Sequence, residues 1–562
     1  MGFFPQFIVC NKMKTKFLYI LTTLSVISFF YSCKEPPVLL SNAYIELLSV
    51  NGKSVASDGI VMNVPVDSVI IRVIFSTEID NSKIRPDKIY FTNNEEVQFD
   101  ILTTENPKEL KIKLKDKLNY YTKYTLNINS GEYMGVNIID NSKVNFLTEL
   151  DTTPKFPTIS SDSLLTLVQK QTFRYFWDYA HPVSGLARER LGSGETVTTG
   201  GSGFGLMAIL VGIERGFISR SQGYAQIDKI VRFLNRPETD KFHGAFPHWL
   251  NGTTGKVIPF STKDNGADLI ETSFLMQGLL AVQAYFKSGN PPEQAMCAII
   301  QQLWEKVEWN WFQKNGEQKL YWHWSPNYNW DMNMPITGWN EGLIAYVLAA
   351  SSPTYPIPKR VYDEGWARNG AMKNGNSYYG VTLPLGEAYG GPLFFAHYSF
   401  LGLDPRNLSD TYASYWIQNK AHTSINYKYC VANPKGYYGY DENCWGLTAS
   451  DFPDGYTASS PTNDQGTITP SAALASFPYT PVESTKALNF FYYTLGNRVW
   501  GEYGFKDAFS LSRRWFAESY LAIDQGPIIV MIENYRTGLI WNNFMSCPDV
   551  KAGLTKLGFI YR

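Results

Sequence analysis

The sequence predicts two domains, an N-terminal β-sandwich and a larger all-α domain of the (α/α)6 toroid type. Three observations predict it. The 562 residues exceed the ~100–200 that one domain holds. All 15 Trp and all six His lie beyond residue 175, a sharp composition shift. Short runs alternating apolar and polar residues fill the chain before residue 150, whereas helix-period patterns separated by long aromatic loops follow it.

Residues 1–33 read as a processing signal. Met13-Lys14-Thr15-Lys16 supplies a basic n-region, and Phe17 to Tyr31 an apolar h-region too short for an ordinary membrane span. Ser32-Cys33 resembles a bacterial lipobox, whose cysteine is lipidated and becomes the mature N-terminus. The expected location is the cell envelope, periplasmic or at the outer-membrane surface, with the lipid on Cys33 as the sole membrane contact.

Residues 34–150 read as strands. Leu110-Lys111-Ile112-Lys113-Leu114 and Tyr124-Thr125-Leu126-Asn127-Ile128 alternate as half-buried strands do, and Lys143–Leu147 does so more weakly. Val69 to Phe75 is nearly all apolar, the pattern of a strand buried on both faces. Asn93-Asn94, Asn106-Pro107, Asn129-Ser130-Gly131 and Asn141-Ser142 punctuate them as turns. About seven strands in so short a stretch make a sandwich. With no His, and Glu95-Glu96 its one adjacent acidic pair, this module reads as a spacer. Asp151 to Pro157 begins a linker, 151–160.

Residues 161–562 carry helical patterns near 161–179, 203–216, 219–235, 269–287, 291–312, 338–350, 358–372, 391–401, 409–424, 470–476, 480–496 and 525–536. Asn290-Pro291-Pro292-Glu293 and Thr480-Pro481-Val482-Glu483 each pair a capping side chain with Pro at the first helical position and Glu three residues on. A dozen helices suit a toroid. The loops at 236–263, 313–337, 374–390 and 428–469 are longer than bundle connections and rich in Trp, Tyr, Gly and Asn, as functional loops are.

Composition narrows the chemistry. Net charge is −1, so no basic field exists for nucleic acid. Charged residues make up 18% and aromatics 15%, which suits stacking on neutral, hydroxyl-rich ligands such as sugars as well as it suits a large core. Walker, HExxH and GxSxG patterns are missing from the sequence, and no cofactor is expected. Of the cysteines beyond Cys33, only Cys430 and Cys444 lie close in sequence, leaving a disulfide there open.

Four acidic segments are candidates for chemistry. Asp264, Asp268 and Glu271 stand at i, i+4 and i+7, sharing one face if that turn is helical. Mutual repulsion would raise one pKa toward that of an acid catalyst. Helix capping and a divalent-metal site are the other readings. Glu341, in Gly338-Trp339-Asn340-Glu341-Gly342, opens an apolar helix after a loop holding Trp322, Trp324 and Trp330. Desolvation among aromatics favours a general acid, and a first-turn acid on the helix dipole is the plainer alternative. Asp524 stands before Gly526-Pro527 between core-like flanks, as a cap or as a charge with a task. Asp451 and Asp454 lie in an aromatic loop, where hydroxyl binding, a metal near Asp451 and turn formation all fit.

At these segments a resemblance appears. Glu271-Thr272-Ser273-Phe274-Leu275-Met276-Gln277-Gly278, Gly338-Trp339-Asn340-Glu341-Gly342, Gly391-Pro392-Leu393-Phe394-Phe395-Ala396-His397-Tyr398, Trp445-Gly446-Leu447-Thr448-Ala449-Ser450-Asp451 and Ala522-Ile523-Asp524-Gln525-Gly526-Pro527 resemble the bacterial glucoamylase-like domain. This group includes the endo-β-1,2-glucanases of glycoside hydrolase family 144, and the N-terminal module resembles a bacterial Ig-like domain. The resemblance implies a hydrolase of a glucan, most simply β-1,2-linked, and a monomer is expected. Glu341 would be the general acid and Asp524 the partner that activates water, directly or through a relay, with inversion. Asp264, Asp268, Glu271, Asp451 and Asp454 would be catalytic or bind sugar, and Trp322, Trp324, Trp330, Trp339 and Trp445 would be stacking platforms. A non-catalytic glycan-binding lipoprotein is the alternative.

Overall fold

The computed structural model describes residues 39–56, 59–92 and 97–561. The expected signal, the lipidation site Cys33, the turn at Asn93-Asn94 and the pair Glu95-Glu96 lie outside the described residues. Two compact units form: one holds Asp67–Lys117, Lys123–Phe146 and the described residues up to Val61, the other Leu147–Arg562 with Met62–Val66 and Leu118–Thr122.

The β-rich region has twelve strands among the described residues: β1 (Asn42–Ala43), β2 (Ile45–Val50), β3 (Lys53–Ser54), β4 (Ile60–Val64), β5 (Ile70–Phe75), β6 (Ile89–Phe91), β7 (Phe99–Leu102), β8 (Glu109–Leu114), β9 (Lys123–Ile128), β10 (Gly131–Tyr133), β11 (Val136–Ile138) and β12 (Ser142–Thr148). They pair as a five-stranded sheet β3-β2-β5-β8-β7, a four-stranded sheet β4-β12-β9-β6 and a small sheet β1-β11-β10. The apolar run in β5 buries one face only. Ile71, Val73 and Phe75 are fully buried, while Ile70, Arg72 and Ile74 are half-buried. β8 explains this: Arg72 lies opposite Lys111, and Ile70 opposite Lys113, so the outer face is shared with long charged side chains.

The helical region has thirteen α-helices among the described residues: α1 (Ser161–Trp177), α2 (Thr199–Glu214), α3 (Arg220–Asn235), α4 (Leu269–Phe286), α5 (Pro291–Glu305), α6 (Leu343–Ser351), α7 (Lys359–Val361), α8 (Tyr415–Ala432), α9 (Pro470–Leu474), α10 (Pro481–Asn489), α11 (Ala522–Arg536), α12 (Leu539–Met545) and α13 (Pro548–Leu557). Helices α3 and α5 begin with capping boxes, Ser219 with Gln222 and Asn290 with Glu293. Thr480 makes no such bond at α10. The expected helix at 358–372 is the single turn α7 followed by short π and 3-10 turns, and that at 391–401 is two 3-10 turns. Asn369 at φ 52° and Gly391 at φ 86° break any longer α-helix there.

Four helices are buried on nearly every side: α2 from Thr199 to Gly212, α4 from Leu269 to Val282, α6 throughout, and most of α11. They lack an amphipathic stripe because no face meets water. Helices α2 and α4 approach closely because Gly203 meets Gly278. A Cβ at Gly203 would lie 2.1 Å from the Phe274 carbonyl oxygen, and one at Gly278 2.2 Å from the Gly203 oxygen. By contrast α1, α3, α5 and α13 bury one face each. Of the acids singled out above, Asp264, Asp268, Glu271, Glu341 and Asp524 stand at or just before the N-termini of α4, α6 and α11, where the helix dipole favours negative charge, whereas Asp451 and Asp454 lie on a β-hairpin. The cysteines Cys297, Cys430, Cys444 and Cys547 are buried free thiols, so Cys430 and Cys444 are not bridged.

Candidate active site

A cavity of about 430 Å³ opens between these helix N-termini. Its walls are Trp249, Phe260, Trp322, Phe394, Tyr398 and Tyr456, and its polar groups include Glu189, Arg190, His248, Glu271 and Glu341. That mixture of aromatic surface with a few convergent polar groups is the usual make-up of a small-ligand site.

One side is built around the start of α4. Asp268 caps that helix, its Oδ1 accepting the Glu271 N–H at 2.9 Å. Its other oxygen accepts from His248 Nδ1 at 3.1 Å. Glu271 Oε2 accepts the Gly200 N–H at 2.8 Å, which ties the start of α2 to that of α4. The segment 264–268 is not helical, contrary to the expected one-face arrangement. Ala267–Asp268 is a short strand paired with His323–Trp324. This pairing, rather than helical periodicity, brings His323 Nε2 to 3.4 Å from Asp264 and 3.8 Å from Asp268.

The charges here set one another. Burial would keep His248 neutral, but Glu271, Asp268 and Asp264 surround it and raise its pKa to about 9. Asp268 is held low by that imidazolium despite its burial. Asp264 is pushed up to about 7 by burial and by the charge of Asp268. His248, Asp264 and Asp268 bring donor atoms within 4.8 Å of one another, a spacing that a cation could use.

Glu341 stands on the same cavity. It lies one residue before the N-cap Gly342 of α6 rather than in the first turn. Burial is the main reason its carboxyl is pushed up to about 7, reinforced by the charges of Glu271 and Asp268. It is therefore still partly protonated in neutral solution, where an ordinary glutamate is fully ionised.

A second acidic group involves Asp451, Asp507 and Asp524. Arg190 Nη1 donates to Asp451 Oδ1 at 3.1 Å, and Ser519 Oγ donates to Oδ2 at 2.6 Å. The guanidinium is thus the countercharge for Asp451, where the sequence left a metal open. Asp524 is buried in the first turn of α11, with Ser471 Oγ donating to its Oδ1 at 3.2 Å. It is pushed up to about 7 by burial, with the charge of Asp451 acting in the same direction. Asp524 is not in the cavity wall, but its neighbours Leu521 and Ile523 are. So are Tyr398 and Tyr456, whose phenols are raised well above their ordinary range by burial, with the charge of Asp524 acting in the same direction.

Comparison with known proteins decides the family. The Glycoamylase family model, described as "Putative glucoamylase", matches residues 333–548, and the bacterial Ig-like domain model matches residues 53–152. A solved structure from Bacteroides uniformis is 61% identical, covering 72% of this chain and 98% of its own, with a TM-score of 0.71. The chain belongs to the Glycoamylase family. A second Glycoamylase-like structure, the endo-β-1,2-glucanase of Chitinophaga pinensis in complex with sophorotriose and glucose, is 55% identical. It covers 72% of this chain and 99% of its own, with a TM-score of 0.70. A curated relative from Parabacteroides distasonis, an exo β-1,2-glucooligosaccharide sophorohydrolase acting at the non-reducing end, is 46% identical over 465 residues. That match takes in 78% of this chain, which spans 64% of the relative's length.

Within this Glycoamylase domain the structure sorts the aromatic candidates. Trp322 lines the cavity. Trp324 and Trp330 pack with Trp311, ring centroids 6.3 and 6.2 Å away, and are not in the wall. Trp339 and Trp445 are core residues, which corrects the expectation that they stack sugar. Trp339 is 6% exposed and packs parallel to Tyr415, and Trp445 is fully buried with its indole N–H donated to the Glu483 carbonyl. Asp454 is turned to solvent in a hairpin and paired with Arg513 at 2.7 Å, away from the cavity. The residues sequence reasoning missed are Arg190, His248, Phe260 and Asp507. His248 carried a signal, being one of only six His and flanked by Pro247 and Trp249. Asp507 carried almost none, a lone acid in a loop far along the chain from Asp451.

Proposed function

We propose that this protein hydrolyses β-1,2-linked glucan, with Glu341 as general acid and Asp524 as the base, acting on water through an intervening hydroxyl. The observation that carries the reading is an aromatic-walled cavity with the buried carboxyl of Glu341 in its wall and that of Asp524 behind it, one just before α6 and the other in the first turn of α11. Glu341 protonates the glycosidic oxygen as its bond to the anomeric carbon breaks. Water attacks that carbon from the opposite face, and its proton passes to Asp524. A water between the two groups gives inversion of the anomeric centre. Asp268, His248 and Glu271 fix the sugar-binding side, while Trp249, Phe260 and Trp322 offer flat surfaces to the sugar rings.

The choice of β-1,2 linkage follows the names of the relatives from Chitinophaga pinensis and Parabacteroides distasonis. The (α/α)6 arrangement is supported by the contrast between helices buried on every side and helices buried on one face. Because one chain supplies every wall of the cavity, a monomer suffices. The lipobox-like Ser32-Cys33 supports an envelope location. The test is incubation with linear β-1,2-, β-1,3- and α-1,4-glucans, reading reducing ends and the anomeric configuration of the first product by proton NMR. Inverted product from β-1,2-glucan alone is expected. Retained configuration, or cleavage only of another linkage, would refute the reading.

A further inference from the structure

We propose that Asp507 is a positioning residue whose carboxyl carries a proton and donates it to Asp524, leaving Asp524 as the carboxylate that accepts from water. The inference rests on the reading of Asp524 as the base. Its geometric ground is a pair of buried carboxyls. The side chains of Asp507 and Asp524 lie within hydrogen-bonding reach of each other. Asp507 Oδ2 accepts the Asp451 N–H at 2.7 Å, and Asp524 Oδ1 accepts from Ser471. The remaining oxygens, Asp507 Oδ1 and Asp524 Oδ2, are both buried, and no other donor among the described residues reaches either. Two carboxylates in contact with no donor between them repel; one shared proton removes the repulsion and supplies the missing hydrogen bond.

The surroundings decide which residue holds that proton. Asp524 sits in the first turn of α11, where the helix dipole favours its negative charge, and it has the Ser471 hydroxyl as a donor. Asp507 lies between the short strands Gly504–Phe505 and Phe509–Ser510, with no helix terminus behind it. The cation near the group, Arg190, is spent on Asp451 and Glu189. Burial and the charges of Asp524 and Asp451 push the Asp507 carboxyl well above the carboxylate range. The charged and titratable groups facing the pair are Asp451, Arg190, Tyr398 and Tyr456.

Proton balance is kept. When Asp524 takes the proton of the attacking water, both members of the pair become neutral. Asp524 returns its proton to solvent as product leaves, and Asp507 keeps its own throughout. Asp507 is also tied into the structure through its backbone, its N–H donating to the Ser519 carbonyl at 3.0 Å. The Ser519 hydroxyl in turn holds Asp451.

The test uses the full chain with Asp507→Asn, Asp507→Ala and Asp524→Asn, following kcat, KM and the pH profile on linear β-1,2-glucan. An Asn amide can donate to Asp524 while its carbonyl accepts the Asp451 N–H, so it imitates the protonated acid. Asp507→Asn should keep kcat within about fivefold of wild type, with the acidic limb of kcat/KM unmoved. Asp507→Ala should lose about 50-fold or more in kcat, with its acidic limb moved to higher pH because the carboxylate has lost a donor. A role limited to stability would not move that limb. If the Ala variant does not fold, the Asn variant decides alone. Folded Asp507→Asn as inactive as Asp524→Asn would overturn the proposal, since Asp507 would then have to be ionised. Asp507→Ala with wild-type kcat and limb would overturn it as well. A nearly active Asp524→Asn would instead remove the reading of Asp524 as base, a distinguishable failure.

Discussion

Replacing Glu341 by Gln keeps the side-chain volume and removes the proton. General-acid catalysis is worth about 10²–10⁴ in rate, which corresponds to about 3–5 kcal/mol of barrier. The loss should appear in kcat with little change in KM, because the amide would still fill the same place in the wall. It should shrink on an aryl glycoside whose leaving group needs no protonation. The structure adds a second, independent expectation. With its pKa raised from 4.5 to about 7 in the folded protein, the carboxyl binds its proton more tightly there than in the unfolded chain. Its contribution to stability is fully present below pH 4.5 and is lost as the pH rises through 7. An amide titrates nowhere in this range, so the variant should match the wild type at about pH 4 and be more stable at about pH 8 by up to about 3 kcal/mol. Paired thermal melts at the two pH values, with turnover on β-1,2-glucan and on the aryl glycoside, check both parts. A folded variant within about threefold of wild-type kcat on β-1,2-glucan would show that another group supplies the proton. Equal stability differences at both pH values would show that Glu341 is not held protonated by burial.

Other outcomes follow from the same geometry. Wild-type activity should be bell-shaped in pH, falling above about 7 as Glu341 ionises and falling on the acid side as Asp524 takes up its proton; a rate flat from about pH 5 to 9 would contradict both assignments. His248→Gln should cost about tenfold or more in kcat/KM, since it removes the cation that holds Asp268 ionised, and steady-state kinetics at neutral pH read it out. Phe260 is 52% exposed and stacks on His248 with ring centroids 4.3 Å apart, so Phe260→Ala should raise KM about three- to tenfold and leave kcat nearly unchanged. Gly203→Ala should destabilise by about 1–3 kcal/mol or more, seen as a lower melting temperature, because its Cβ would meet the Phe274 carbonyl across the α2–α4 contact.

The sequence by itself determined the order of β-rich and helical regions, since alternation in β8, β9 and β12 and the long apolar runs of α4, α6 and α11 are local signals. It also located the motifs holding Asp264, Asp268, Glu271, Glu341, Asp451 and Asp524, because an acid beside an apolar run stands out wherever the chain takes it. Tertiary structure alone decided which of these meet and in what state of charge. Asp268 and His323 are joined by a strand pair between segments far apart in the chain, and Asp451 and Asp507 by one backbone N–H. Neither contact has a period or spacing that a sequence displays. The same limit explains the tryptophans: an indole in a loop looks alike whether it faces a cavity, as Trp322 does, or the core, as Trp339 and Trp445 do. Protonation was the least legible property, because the pKa of Glu341 or His248 depends on burial and on charges brought from distant segments. Those quantities exist only once the chain has folded.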